Sequence, residues 1–223
     1  MNEIGDVLSY PAESDDWIVT VIIGGVLTLL GFLLIPMILV YGYIVSVIRD
    51  RTSGHPKPPT FGNWGTLFVE GLQAWIIGIV YMLVPLIVGG LTVGGAALAM
   101  ATGTDAGVAA GFGGMAVGFL LTFLLALVFG YVAVAAVVNF AREGRFGAAF
   151  DFGVLKRVVL DREYAVAWLV SVAVLLVASL VNVIPFIGWL LAPFAIFYAA
   201  IVASSLWADG FSDALGRPGS TSL

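Results

Sequence analysis

Residues 164–208 read YAVAWLVSVAVLLVASLVNVIPFIGWLLAPFAIFYAAIVASSLWA, 45 positions without a charged side chain. A helix needs about 20 apolar residues to cross a hydrocarbon core about 30 Å thick. This run is therefore long enough for two crossings. Near its middle stands Asn182-Val183-Ile184-Pro185-Phe186-Ile187-Gly188, where Pro185 removes a backbone donor and Gly188 permits a turn. The stretch reads as two membrane helices joined by a tight hairpin.

Three more uncharged runs lie upstream, at residues 17–48, 71–104 and 106–141. Each supplies one crossing. The first holds Pro36 but is too short for two full spans, so it reads as one helix that tilts, kinks or extends past the surface. The expectation is an all-α polytopic membrane bundle with five transmembrane helices, at about 17–48, 75–100, 112–140, 165–184 and 188–207. They form a single domain over 17–207, between an acidic tail at 1–16 and a second tail at 208–223. Composition agrees: 61% of residues are hydrophobic, 10% are charged and mean hydropathy is +1.10. Soluble domains carry about a quarter charged residues.

The nine basic residues fall in three segments: Arg49, Arg51 and Lys57; Arg142, Arg145, Lys156, Arg157 and Arg162; and Arg217. Basic segments mark cytoplasmic loops, so an even number of crossings must separate any two of them. Five spans satisfy this, with the N-terminus outside and the C-terminus inside. The outer segments then hold Glu3, Asp6, Glu13, Asp15, Asp16 and Asp105, with no base. Inside, nine bases meet eight acids, so the inner face is nearly neutral. That argues against a strong polybasic lipid switch and against nucleic-acid binding. The acidic start lacks the basic region of a signal peptide, so the first helix is expected to remain as an uncleaved anchor of a multi-pass cell-membrane protein. Seven Arg against two Lys, with acidic exposed segments, lean toward a salt-loving archaeal or other prokaryotic source.

Two stretches beside the basic segments are expected to be interfacial amphipathic helices. Trp64, Leu67, Phe68, Gly71, Leu72 and Trp75 recur at helical spacing, with Thr66, Glu70 and Gln73 opposite. Such a helix lies in the interface before turning into the second span. Residues 151–163 repeat the device less regularly, setting Val154, Leu155, Val158 and Val159 against Lys156, Arg157, Asp161 and Arg162. Phe146 follows the third span and Phe211 the fifth, each after a Gly in a Phe-x-x-Ala pattern closed by a large apolar residue, Phe150 or Leu215, which suggests an internal repeat. Gly103, Gly107 and Gly111, with the pairs Gly90/Gly94 and Gly114/Gly118, have the one-turn spacing that lets helices approach closely in lipid. Tryptophans 17, 75, 168, 189 and 207 fall near span ends, where indole prefers the headgroup level.

No catalytic constellation emerges. Cysteine is absent and His55 is the lone histidine, so thiolate chemistry, zincin motifs and cysteine metal sites are excluded. Neither a metal nor any other cofactor is expected. Asp209-Gly210 with Asp213 faintly resembles the start of the lipid phosphoalcohol transferases, but the further aspartates are missing; both acids read as solvating the interface. No charge lies within a span. The deep polar candidates Thr20, Thr28, Tyr81, Thr122, Tyr131, Ser171, Ser179, Asn182 and Tyr198, with Asn139 nearer the surface, read as satisfied by helix carbonyls or neighbouring helices.

Tyr41-Gly42-Tyr43, Arg49-Asp50-Arg51, Pro59-x-Phe61-x-x-Trp64 and Gly144-Arg145-Phe146-Gly147-Ala148-Ala149-Phe150-Asp151-Phe152 resemble an uncharacterised prokaryotic membrane family, domain of unknown function 4013, common in haloarchaea. The resemblance spans most of the chain and carries no catalytic residues. The layout is also similar to the membrane domain that accompanies some glycerophosphodiester phosphodiesterases. The expected function is a non-enzymatic scaffold, partner subunit or lipid-contacting module, whose partners are the bilayer and a membrane protein or second copy. The alternative is a small transporter or channel for a neutral or apolar solute. A membrane-embedded enzyme is the remote third reading.

Overall fold

The computed structural model describes residues 4–216. Glu3 and Arg217 of the charge tally lie outside the described residues. Within them there are eight α-helices and no strand: α1 (Ile4–Ser9), α2 (Trp17–Leu29), α3 (Ile35–Thr52), α4 (Trp64–Met100), α5 (Asp105–Glu143), α6 (Phe152–Val159), α7 (Arg162–Ser179) and α8 (Ile187–Ala214). Four are long and apolar enough to cross a membrane: α4, α5, α8, and α7 together with the 3-10 turn that continues it to Val183.

Residues 17–48, read above as one helix, form two. α2 ends at Leu29, a 3-10 turn covers Gly31–Leu33, and α3 begins at Ile35. Pro36 stands in the first turn of α3, where a missing N–H costs nothing because that donor has no intrahelical partner anyway. It starts a helix instead of kinking one. At 1.5 Å per residue, α2 is about 20 Å long, too short to span.

The two reversals α2–α3 and α7–α8 are built alike. Each places a bulky residue at positive φ immediately before the second helix, Leu34 at 58° and Phe186 at 62°. Each turn bonds part of its own backbone internally. Leu33 and Leu34 donate to the Leu30 and Gly31 carbonyls at 3.0 and 3.1 Å, while Ile184 and Ile187 donate to Val181 and Pro185 at 3.2 and 2.7 Å. Phe186, not Gly188, makes the second turn. Gly188 lies inside α8 with no room for a Cβ, which would fall on the Val181 carbonyl.

The chain divides into two compact units. In the first, residues 1–76 and 134–223, α8 is the hub against which α7, α2 and α3 pack. Gly24 and Gly25 of α2 give way to the rings of Phe197 and Phe194. α3 and the start of α4 cross on reciprocal glycines: a Cβ on Gly42 would fall on the Leu67 carbonyl oxygen, and one on Gly71 on that of Ile38. Close approach of this kind lets dispersion hold helices together where lipid offers no hydrophobic drive. The expected interfacial helix at 64–75 does not turn before its span. It is the continuous beginning of α4, with Leu67, Gly71 and Ala74 buried.

The second unit, residues 77–133, is the hairpin of α4 and α5. Its seam follows the small residues, with Gly118 against Thr92, Gly89 against Thr122, Gly111 against Met100 and Gly114 against Ala96. Thr92 and Thr122 return their hydroxyls to the Val88 and Gly118 carbonyls at 2.8 and 2.7 Å. Gly103 serves the turn, at φ 68°, and Gly90 and Gly94 face open space. Glycine spacing thus marks the seam on α5 but not at Gly90 and Gly94.

Candidate functional site

The basic residues of the first unit gather at the end where α3 stops, α4 starts, α5 stops and α8 finishes. Helices end here in Arg because a cation favours the carbonyl end of a helix. Arg51 and Arg49 then each find an acid on another helix. Arg51 grips Asp209 of α8 with two parallel bonds of 2.8 Å from Nε and Nη2. Arg49 contacts Glu70 of α4 at 2.8 and 3.0 Å and donates Nε to the Ala141 carbonyl at 3.2 Å. Asp209, read above as solvating the interface, and Glu70, read on the polar face of an interfacial helix, are thereby structural partners drawn from distant sequence. Asp213 also has an interaction of its own.

Arg142 pairs with Glu143 at 2.7 Å, donates to Asn139 Oδ1 at 2.8 Å and lies over the Phe211 ring at 5.5 Å. Asn139, buried, passes its own Nδ2 hydrogen to the Ala148 carbonyl at 2.8 Å, which fixes the 3-10 turn Phe146–Phe150 against α5. Arg145 approaches Glu143 at 3.7 Å and is exposed. Lys156, Arg157 and Arg162 are exposed and have no ion pair among the described residues. His55 lies exposed in the loop after α3.

The apolar candidates separate. Trp64, exposed, stacks on Phe61, which stacks in turn on Tyr43 at 4.4 Å and on Phe197. Tyr43 anchors the loop by donating to the Pro59 carbonyl at 2.9 Å. Phe211 is buried against Tyr164, Phe146 meets Phe150 edge-on, Phe68 is exposed, Leu67 is buried and Trp75 is half-buried. The deep hydroxyls behave as expected: Thr28 and Ser179 donate to carbonyls one turn back, and Ser171 accepts from Trp207 Nε1 at 2.6 Å.

The N-terminal segment, assigned to the opposite side by charge, joins this end. Lys57 contacts Asp15 at 3.3 Å, the Arg51 guanidinium lies 4.9 Å from the Tyr10 ring centre, and Tyr198 of α8 donates to the Leu8 carbonyl at 2.7 Å. Asp6, Val7, Tyr10, Glu13 and Arg51 border a cavity of about 210 Å³. Nothing in the sequence signalled these contacts except the complementary charge of residues 1–16 and 49–57.

Tyr10 is 2% exposed and its hydroxyl has no hydrogen-bond partner among the described residues. Burial pushes the hydroxyl above its usual value of 10.0, against the pull of Arg51. Because the folded value is raised, the contribution of Tyr10 to docking is complete below about pH 10 and declines as pH rises beyond it. Tyr10→Phe keeps the ring under Arg51 and removes the ionisation. It is expected to leave protection of residues 4–16 from proteolysis unchanged at pH 7 and to reduce the loss of protection expected of wild type above pH 10.

A family model described as a protein of unknown function (DUF4013) matches residues 26–187. The chain belongs to that family. The DUF4013 match takes in α3 to α7, both partners of the Gly42–Gly71 crossing and the Asn139–Arg142 joint, but ends before Asp209. No curated protein and no solved structure matches the chain, and the likeness to the phosphodiesterase-associated membrane domain has no counterpart among these matches. DUF4013 membership fits a helical membrane protein and names no activity.

Proposed function

We propose that this chain is a multi-pass protein of the cell membrane that acts without chemistry of its own, as a scaffold, partner subunit or lipid-contacting module. In this reading α4, α5, α7 and α8 cross the bilayer. α2 and α3 enter from the inner face, reverse at Leu30–Leu34 and return. Both the acidic N-terminal segment and the end of α8 then face inward. The observation that carries this placement is the contact of Lys57 with Asp15, reinforced by Arg51 on Tyr10. Groups in contact share one side of a bilayer, and the Lys/Arg excess puts that side inward. At the charged end, Arg49 and Arg51 each close on an acid of another helix. That is the arrangement of a joint between helices.

The absence of cysteine makes the test clean. Asp15→Cys and Lys57→Cys, made singly, are expected to react with a membrane-impermeant maleimide only after the inner face is opened. Labelling of position 15 from the outside of intact cells sinks the placement. Reconstituted in liposomes, the chain is expected to pass neutral solutes no faster than empty liposomes do; a flux above that rate overturns the non-transport reading.

A further inference from the structure

α6 has two different faces. Leu155 and Val158 are buried, with the helix packed on α7 and α8. Along the other side run Phe152, Lys156 and Leu160, one helical turn apart, with Arg157 beside them. Phe152 is 68% exposed and Leu160 75% exposed. Arg162, also exposed, opens α7 two residues beyond Leu160.

Charge at this face is uncompensated locally. Arg49, Arg51, Lys57, Arg142 and Arg145 each face an acid, whereas Lys156, Arg157 and Arg162 face none among the described residues. The neighbouring acids serve the backbone: Asp151 Oδ1 accepts the Gly153 and Val154 N–H groups, and Asp161 Oδ1 accepts that of Glu163. No acid stands between Phe152 and Leu160. Two cations in the last turn suit the dipole of α6. That does not account for two large apolar side chains held outward on either side of them.

We propose that this face of α6 seats anionic phospholipids, with Lys156, Arg157 and Arg162 on headgroup phosphates and Phe152 and Leu160 in the acyl boundary. An apolar and basic stripe on a short surface helix suits the edge of an anionic bilayer, where both kinds of side chain are satisfied at once. A soluble acidic protein would satisfy only the cations. The inference rests on the reading of α5 and α7 as spans, since these flank α6 in the chain and hold it at the depth where a span ends.

The full chain is reconstituted in nanodiscs of mixed phosphatidylcholine and phosphatidylglycerol, and the lipids it retains on release are counted by native mass spectrometry. Wild type is expected to retain phosphatidylglycerol in preference, by about fivefold for each engaged cation. The variant K156Q/R157Q/R162Q is expected to lose that preference, and F152S/L160S to retain less of both lipids. These side chains are exposed, so melting temperatures stay at the wild-type value and separate lipid loss from misfolding. An unchanged preference in the triple glutamine variant overturns the proposal. So does displacement of the lipid by soluble polyglutamate, which would assign the face to an acidic protein. Outward labelling of position 15 with the lipid preference intact would instead fault only the assignment of the inner side.

Discussion

Gly42→Leu and Gly71→Leu are each expected to prevent assembly of a stable first unit. A Cβ at either position would occupy the place of a backbone carbonyl oxygen on the facing helix, Leu67 for Gly42 and Ile38 for Gly71. Backbone cannot swing aside as a flexible side chain can. The helices must separate, and separation also releases the Arg49–Glu70 contact nearby. Overpacking costs typically 1–3 kcal/mol, and a backbone clash belongs at or above the top of that range, about 3 kcal/mol. Gly90→Ala and Gly94→Ala meet nothing within 4 Å. They should be neutral or slightly favourable, because alanine is the better helix former. Thermal unfolding of the detergent-solubilised protein distinguishes the two sets. Equal melting temperatures for Gly42→Leu and Gly90→Ala would show that the α3–α4 crossing is looser than described.

The second large effect is expected at Arg51 and Asp209. Their side chains are 23% and 18% exposed and joined by two bonds, so removing one leaves a poorly hydrated charge behind. Arg51→Ala and Asp209→Ala should each cost about 2 kcal/mol, below the 3–5 kcal/mol of a fully buried pair because some water reaches the site. For a chain of this size that is a fall of roughly 4–8 °C in melting temperature. The double variant Arg51→Met with Asp209→Leu should recover most of it, since neither charge is stranded. If the double variant loses the sum of the two single losses, the pair is not coupled.

Pro185 and Pro36 show why one hairpin was legible in the sequence and the other was not. Both stand just before or within the first turn of a helix that follows a 3-10 turn. Around Pro185, 45 uncharged residues left room for two full spans, so the break was obvious. Around Pro36 only 32 were available, and requiring about 20 residues per crossing forbade a second helix. A helix that need not reach the far side is exempt from that requirement. Charge parity is blind to such a break, because in the proposed placement an extra reversal before Arg49 changes the side of the N-terminus without altering the number of crossings between basic segments. Tyr10, Asp15 and their partners were therefore placed on opposite sides.

The site was legible in composition but not in pairing. Arginines at helix ends followed from the charge pattern, yet Arg51 finds its acid 158 residues away, a separation that leaves no local periodicity to read. Glu70 was assigned to the polar face of an interfacial helix, but the reciprocal glycine crossing turns it toward Arg49. Near-neutrality of the inner face also hid a division of labour. Glu70, Asp209, Asp15 and Glu143 pair with Arg49, Arg51, Lys57, Arg142 and Arg145, leaving the α6 stripe without an opposite charge in contact.

The shortness of α2 has a mechanical consequence in the proposed placement. A hairpin that enters one leaflet and returns adds cross-section to that leaflet alone, while four crossing helices add to both. Lipids beside the hairpin in that leaflet are crowded, and those opposite its tip at residues 32–35 must thin or tilt to fill the space beneath it. Membranes that already bend toward the opposite side relieve that packing stress, so the chain would collect where curvature makes room for the extra pair of helices.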